Sequence, residues 1–509
     1  MTVATYQVLV DWVGDGAFTG TSDDVTAKVM NMEWVRGRTF ASQLTGKALA
    51  GAANVSLNND GGTFSTQNPN SPLAGSLLPG RAVRIRTTAP STVVLWEGRT
   101  DIIENRISLD NNHVAVLKAI GPLAYVNSRN VRIPMQSNTL TGVLVNKILD
   151  DVNWPSGSRI IDAGQTTISY FWTEDKAAME ALREVEDTEA GYVGESKDGK
   201  IVFEDRDHRL SGTHIVPQAT FSDAANSTLV FFNMEQEDPL KAIYNSFEAT
   251  VSRFTTGATA TLWKLTQTGT ASPLIRASGG TLKIEATFPN AASSPTAVAA
   301  ASWIPLTSSV DYRVWTDPAG TATDITASVV GTFDTTATFG QSVTVKLTNN
   351  NGSNGYVTFL QVQGVPLLTE YKANIRVEDA TSQTAFGRKT FRSGAQHIPT
   401  IEEAADWGAF QVAIYKDALQ ILNMTVNANR SGSHMDQVIN RDISDLITVT
   451  TTGRSDLGFT NIFFIEHEHH RVSADKTHWV TWALSPATAY GGIWVLNTSD
   501  LNIRTRPGY

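Results

Sequence analysis

RISLDNNH, Arg106 to His113, and RVSADKTH, Arg471 to His478, are nearly the same phrase written near opposite ends of one chain. They lie 365 positions apart, and the offset holds without a gap through Arg106/Arg471, Ile107/Val472, Ser108/Ser473, Asp110/Asp475 and His113/His478, then again at Ala124/Ala489 and Tyr125/Tyr490. In both places an extended run (Asp101 to Leu109, Ile462 to Ala474) reaches a polar turn, Asp-Asn-Asn or Asp-Lys-Thr. A second run follows, His-Val-Ala-Val-Leu or His-Trp-Val-Thr-Trp, which makes each phrase a β-hairpin with Asp opening its turn. Each second run leaves through a proline, Pro122 or Pro486. The expectation is an internal duplication of one β-fold.

Composition sets the outer bounds. A chain of 509 residues exceeds what one hydrophobic core supports, so several domains are expected. With 41% hydrophobic and 18% charged residues the composition is that of a soluble globular protein. No apolar run is long enough to span a bilayer, and MTVATYQVLVDWVGDG lacks the basic start and apolar block of a signal peptide, so synthesis in a cytosol is expected. With no cysteine, disulfides, thiolate metal sites and a cysteine nucleophile are excluded. A net charge of −10 disfavours tight binding of a phosphate backbone, which needs clustered Lys and Arg, although it suits a surface past which nucleic acid slides.

Working outward from the two phrases, five stretches separate. Residues 1–128 are short strands broken by the turn clusters LNNDGG, NPNSP and LLPGR, with VRIR and VVLW flanking a hairpin turn at TTAPST, and read as a β-barrel. Residues 129–212 form a small α/β module. Leu140, Leu144, Val145, Ile148 and Val152 mark a helix stopped at Trp154-Pro155. A second helix is expected with Thr173 as its cap, Glu174 and Asp175 in its first turn, and Ala178, Ala181, Leu182 and Val185 on one face, closed by Gly191. A hairpin turns at Lys197-Asp198-Gly199. Residues 213–254 read as connecting strands. Residues 255–367, rich in Thr, Ala, Ser and Gly, read as an inserted antiparallel β-sandwich in which Val343, Val345 and Leu347 alternate. Residues 368–509 hold a long helix and a second barrel. Thr400 and Glu403 form a capping box, and Ile401, Ala404, Ala405, Gly408, Val412, Tyr415 and Leu419 follow at helical spacing. The fold class is therefore mainly β, with two related β-barrels, a small α/β module and an inserted sandwich.

Candidate chemistry is sparse. Ile465-Glu-His-Glu-His-His470 has the residue types of a metal site. On a strand, however, alternation sends Glu466, Glu468 and His470 to one face and His467 and His469 to the other, and a third ligand must come from elsewhere. The aligned positions of the first copy are Ile102, Glu104 and Asn105, so a polar barrel wall is the reading. Glu186, Asp187, Glu189, Glu204, Asp205 and Asp207 could supply paired carboxylates for glycoside hydrolysis, and solvated helix-end and hairpin charges explain them more cheaply. No nucleophile elbow, phosphate-binding loop or dinucleotide fingerprint is present. No catalytic, cofactor-binding or metal-ligating residue, and no cofactor, is assigned; the chain reads as a non-enzyme.

The run Asp24-Val25-Thr26, Arg36-Gly37-Arg38, Gly51-Ala52-Ala53, Leu57-Asn58-Asn59-Asp60-Gly61-Gly62, Phe64-Ser65, Ser71-Pro72-Leu73, Pro79-Gly80-Arg81 and Trp96-Glu97-Gly98 resembles the start of phage minor tail proteins of the tail-hub (baseplate hub) family. ILDDVNWP, RIIDAG and AMEALREVEDTEAGYVGESKDGKIVFEDR resemble the α/β module that follows in those proteins. The resemblance runs to about Arg209 and again from about Lys372 to Pro486; the middle sandwich is not general to the family. It implies two tube-like barrels per chain and a homotrimer forming a ring of six barrels, which adapts a sixfold tail tube to the tail tip, holds the tip closed and lets DNA pass without specific binding. It further implies a place in the virion, at the tail tip or baseplate, with tail-tube or distal-tail proteins on one side and tip or fibre proteins on the other, and a part in DNA ejection and host attachment.

Two alternatives belong to other classes. A carbohydrate-binding adhesin would offer Trp303, Tyr312 and Trp315 of the sandwich to a host surface glycan. A tail-associated hydrolase would need the acidic pairs or the histidine strand.

Overall fold

The computed structural model describes residues 3–487 apart from positions 41, 43, 45, 108–112, 225, 238–239, 266–270, 289–296, 394–396, 399 and 453–457, and beyond 487 only the backbone of 493–494 and 506–507. Its largest element is one continuous twelve-stranded sheet in two halves of six. The first half contains β1 (Thr5–Val10), β2 (Val29–Gly37), β3 (Ala52–Asn58), β4 (Ala82–Ala89), β5 (Val93–Arg106) and β6 (Val114–Ile120), in the spatial order β1-β4-β5-β6-β3-β2. The second contains β7 (Thr220–Ser222), β8 (Asn233–Glu237), β9 (Ile421–Asn427), β10 (Leu446–Thr451), β11 (Phe459–Val472) and β12 (His478–Pro486), in the order β7-β10-β11-β12-β9-β8. Each strand of the second half thus occupies the place of the strand six earlier in the first. Both halves curl toward closure: Leu9 of β1 bridges Asp24 just before β2, and Ser222 of β7 bridges Val230 just before β8. One difference remains, since β1 is antiparallel to β4 whereas β7 is parallel to β10.

Register makes the duplication specific. In the β5–β6 hairpin Arg106 faces Val114, Asn105 faces Ala115 and Ile103 faces Leu117; in β11–β12 Arg471 faces Trp479, His470 faces Val480 and Glu468 faces Trp482. All six residues of the second set stand 365 positions after their counterparts. Two further pairs of phrases fall into line only in three dimensions. Asn54-Val-Ser-Leu-Asn58 of β3 matches Asn423-Met-Thr-Val-Asn427 of β9, since Lys118 and Val114 face the ends of one, and Ala483 and Trp479 the ends of the other. Asn31-Met-Glu33 of β2 matches Asn233-Met-Glu235 of β8: Asn31 faces Ser56 and Met32 faces Val55, while Asn233 faces Thr425 and Met234 faces Met424. The turn residue Asp110, and Ala489 and Tyr490, lie outside the described residues. Asp475 does open its turn, accepting from the Thr477 backbone N–H at 3.1 Å.

The α/β module sits between the barrels in sequence and shares their core. Helix α1 (Thr141–Asp151) buries Leu144, Val145 and Ile148, with Val152 just beyond, while Leu140 precedes the helix and is partly exposed. Helix α2 (Ala178–Glu189) buries Ala178, Ala181, Leu182 and Val185. Its start differs from the sequence expectation. Residues 167–177 continue as a strand paired with 130–140, and Thr173 Oγ1 accepts from the Ile133 N–H and donates to the Val131 carbonyl, so it is spent on the ribbon and does not cap the helix. Ala190 takes the left-handed position that ends α2. Gly191 is needed for a different reason, because a Cβ there would meet the Glu204 carbonyl oxygen at 2.5 Å.

The segment expected to connect, 213–254, divides: β7 and β8 belong to the second barrel, and Ser246–Thr256 pairs with the far end of the long strand Gly355–Glu378. That long strand passes from the sandwich into a second layer under helix α3 (Ile401–Tyr415), whose Thr400 Oγ1 accepts from the Glu403 N–H as a cap should. Trp407 meets Phe247 edge-on at 4.9 Å, and Gly408 lets the helix approach, since a Cβ would lie 2.5 Å from Phe247. Leu419 falls beyond the helix end. The sandwich has its own core, in which Val343, Val345 and Leu347 face Val357, Leu360 and Val362. Among the described residues, no helix is long and apolar enough to cross a membrane.

Candidate functional site: the seam between the barrels

The two halves of the sheet meet where β2 pairs antiparallel with the second part of β11. Met32 faces Val472, Glu33 faces Arg471, Trp34 faces His470, Val35 faces His469 and Arg36 faces Glu468. The first part of β11, up to Phe464, pairs with β10 inside its own barrel, so one long strand belongs to both neighbours.

A β-bulge sets what this strand presents. Ile465 faces Leu484 and His467 faces Ala483, leaving Glu466 as an extra residue. Before it, the odd positions Phe463 and Ile465 enter the apolar core; after it, the even positions turn inward, ending at Val472. An inserted residue re-aims the strand in this way. Glu466, Glu468 and His470 share one face, as the alternation expects, and that face is buried; His467 and His469 are half-buried on the other.

Buried carboxylates need partners, and the seam supplies them. Glu466 accepts from Arg38 Nε at 2.8 Å, from Arg209 Nη1 and Nη2 at 2.7 and 3.0 Å and from Ser485 Oγ at 2.6 Å. Burial pushes its carboxyl up, but the Arg209 and Arg38 guanidiniums overcome this and bring it down to about 2. Glu468 accepts from Arg36 Nε and Nη2 at 3.0 and 2.7 Å, and Arg36 also reaches Asp442 at 2.6 Å and the Glu195 carbonyl at 2.8 Å. Against the cost of burial, these charges hold Glu468 well below the usual carboxylate range. Arg36 and Arg38 come from β2, Glu466 and Glu468 from β11, and Arg209 from the end of the module. The site therefore bolts three parts of the chain together.

Aromatic and imidazole groups fill the rest. The His470 ring stacks on Trp34 at 4.8 Å and 8°. His470 Nδ1 lies 2.9 Å from His478 Nε2, and His478 Nδ1 lies 2.8 Å from the Tyr6 hydroxyl. Burial keeps Tyr6 protonated and, with the neighbouring His470, holds His478 neutral. A neutral His478 donates from one ring nitrogen and accepts at the other, so the Tyr6–His478–His470 chain is hydrogen-bonded at both links. His467 lines an open cleft with Phe40, Lys241 and Asn423, and His469 Nε2 meets Glu33 at 2.6 Å. Among the described residues, no three His, Asp or Glu side chains gather as for a metal ion.

The acidic groups of the module are placed otherwise than a solvated reading expects. Glu186, Glu189 and Glu204 are buried. Glu186 holds Lys47 of the first barrel, Arg183 and the Val193 N–H; Glu189 accepts from Thr141 Oγ1, the Thr166 N–H and Arg206; Glu204 accepts from Ser444 Oγ of the second barrel. Asp187 reaches Lys47, Asp205 accepts from Gln165 Nε2 at 3.0 Å, and Asp207 is raised by burial and by Asp205. Charges at a helix end attract bolts from other domains, which a local sequence pattern does not disclose. Glu195, which the sequence reading passed over, joins the module to the first barrel: Oε2 accepts from the Gly51 N–H at 2.8 Å and Oε1 from the Leu123 N–H at 2.6 Å. Its burial outweighs those bonds and raises the carboxyl to about 7. In the sandwich, Tyr312 is buried with its hydroxyl on the Val329 carbonyl, and Trp303 Nε1 donates to the Phe339 carbonyl.

The sequence matches no family model and no curated protein. In three dimensions the chain is similar to the tail protein from Neisseria meningitidis MC58, with a TM-score of 0.51, 9% identity, and 96% of this chain and 98% of that chain covered. Two other solved structures align over most of both chains: a 43 kDa tail protein of prophage MuSo2 from Shewanella oneidensis (TM-score 0.48, 11% identity, 95% and 99% covered) and prophage tail protein gp18 from Listeria monocytogenes (TM-score 0.41, 8% identity, 94% of each). The likeness to the Neisseria protein is one of fold, end to end.

Proposed function

We propose that this chain is a structural component of a phage-type tail, a hub in which three copies close a ring of six barrels around a channel. The observation that carries the reading is the equivalence of the two barrels in strand order and register, across a seam made by pairing their edges. A chain that already joins two such barrels through one strand pair holds one-third of a ring with approximate sixfold symmetry. Such a ring meets a sixfold tube on one face and a threefold tip on the other. The fold likeness to a tail protein supports this, and the net charge of −10 suits a passage that does not retain DNA. The module, between the two barrels in sequence, and the sandwich, inserted between β8 and β9, would lie outside the ring, where contacts with fibre or tip proteins are made.

The role is mechanical. Glu186 and Glu204 are engaged by residues of the two barrels and Glu189 by Thr141 and Arg206 of its own module, which favours a structural use of these carboxylates over glycoside hydrolysis. The adhesin alternative loses Tyr312 to the core. Gold-labelled antibody against the sandwich, applied to tail particles from the producing host, should mark the end of the tail distal to the head. Label along the tube, or on the head, would overturn the reading.

A further inference from the structure

The seam has a counterpart that the single chain leaves unmade. The barrel equivalence maps β2 onto β8 and β11 onto β5, so Met234 stands for Met32, Glu235 for Glu33, Arg106 for Arg471 and Ile107 for Val472. In β2 and β11 these edges are paired. Among the described residues, β8 has β9 on one side and no strand on the other, and Asp101–Arg106 of β5 has β6 on one side and no strand on the other. Ile107 is 86% exposed where its counterpart Val472, under the seam, is 2% exposed. Two unpaired edges with an apolar residue laid open invite another strand.

We infer that β8 of one copy pairs antiparallel with the second half of β5 of the next, with Glu235 opposite Arg106 and Met234 opposite Ile107. The inference rests on the ring proposed above and supplies its joint: the strand pairing between chains is the strand pairing within a chain, repeated without the Arg36–Glu468 ion pair, whose carboxylate position is Ile103 in β5. Charge agrees. In the existing seam Arg471 lies 3.5 Å from Glu33, and the inferred one sets Arg106 against Glu235. Barrel one departs along this edge, with Ile102, Ile103, Glu104 and Asn105 where barrel two has His467, Glu468, His469 and His470, and Lys118 for Ala483; Glu104 and Lys118 offset one another through an ion pair of 2.7 Å. Glu237 then falls opposite Glu104, a carboxylate already held by Lys118 and Arg106. A heterologous contact of this kind closes into a ring when its rotation divides the circle.

The absence of cysteine makes the joint directly testable. Facing residues of an antiparallel pair lie within disulfide reach. Glu235→Cys with Arg106→Cys, and separately Met234→Cys with Ile107→Cys, are oxidised in the full chain, and Glu33→Cys with Arg471→Cys serves as the intrachain control. Glu235→Cys with Asn105→Cys, one residue out of register, is the negative control. The in-register pairs should give linked species of two and three chains, at least tenfold more than the negative control. Equal linking in both, in a preparation that light scattering shows to be trimeric, would overturn the strand pairing and leave the ring standing. A monomer at every concentration would overturn both.

Discussion

Asp101 and Glu466 are the inserted residues of matching bulges: Asp101 lies between Thr100, which faces Ala119, and Ile102, which faces Lys118, and Glu466 lies between Ile465, which faces Leu484, and His467, which faces Ala483. Every residue of that description stands 365 positions from its counterpart. A shared bulge is harder to reach by chance than a shared hairpin, because it requires the same irregularity at the same rung. The second copy then uses its extra residue differently. Asp101 is exposed, whereas Glu466 is buried among guanidiniums.

That burial makes Glu466 a stability determinant. Glu466→Ala leaves Arg38 and Arg209 without their buried carboxylate, and should cost about 3–5 kcal/mol. Thermal unfolding of the variant beside the natural chain checks this. Acid should report the same group. With the folded carboxyl at about 2 against 4.5 unfolded, its contribution is complete above pH 4.5 and is lost as pH falls toward 2, about 3 kcal/mol in all. Glu466→Ala should flatten that part of the acid limb.

Glu195 should act in the opposite direction and window. Folded, it holds its proton up to about pH 7, while the unfolded carboxyl releases near 4.5, so the fold binds more protons between those values. Stability should fall by about 3 kcal/mol as pH rises through that window. Glu195→Gln, which cannot ionise, should lose this slope; denaturant midpoints measured from pH 4.5 to 8 decide it.

The sandwich should fold alone. Among the described residues, its apolar core draws on positions between Leu262 and Leu368 and on nothing from the barrels. Residues 255–367 expressed separately should be soluble and melt in one cooperative transition followed by circular dichroism. An unfolded product would show that the layer under α3 is needed to hold the long strand.

The hairpin phrase was legible because its two copies carry no insertion, and a single offset aligns them. Asn31-Met-Glu33 with Asn233-Met-Glu235, and Asn54 to Asn58 with Asn423 to Asn427, were equally available as letters, but the sandwich and α3 are inserted between β8 and β9. Each pair therefore has its own offset, and the match emerges only when partner strands fix the register. The buried ion pairs were illegible for another reason. Alternation placed Glu466, Glu468 and His470 on one face, but whether that face meets water depends on Arg36, Arg38 and Arg209, which lie hundreds of residues away in sequence. Thr173 misled because a good capping residue and a good ribbon residue are the same residue, and the longer strand won.

In the proposed ring, one chain holds two of six equivalent positions around an axis. Single-particle imaging of the purified chain, without imposed symmetry, tests it most directly. The expected result is a trimeric ring around an open channel, strictly threefold, in which the β5–β6 and β11–β12 hairpins alternate at six nearly equal angles. A monomer, or an assembly in which the two hairpins occupy different radii and share no ring, would contradict it.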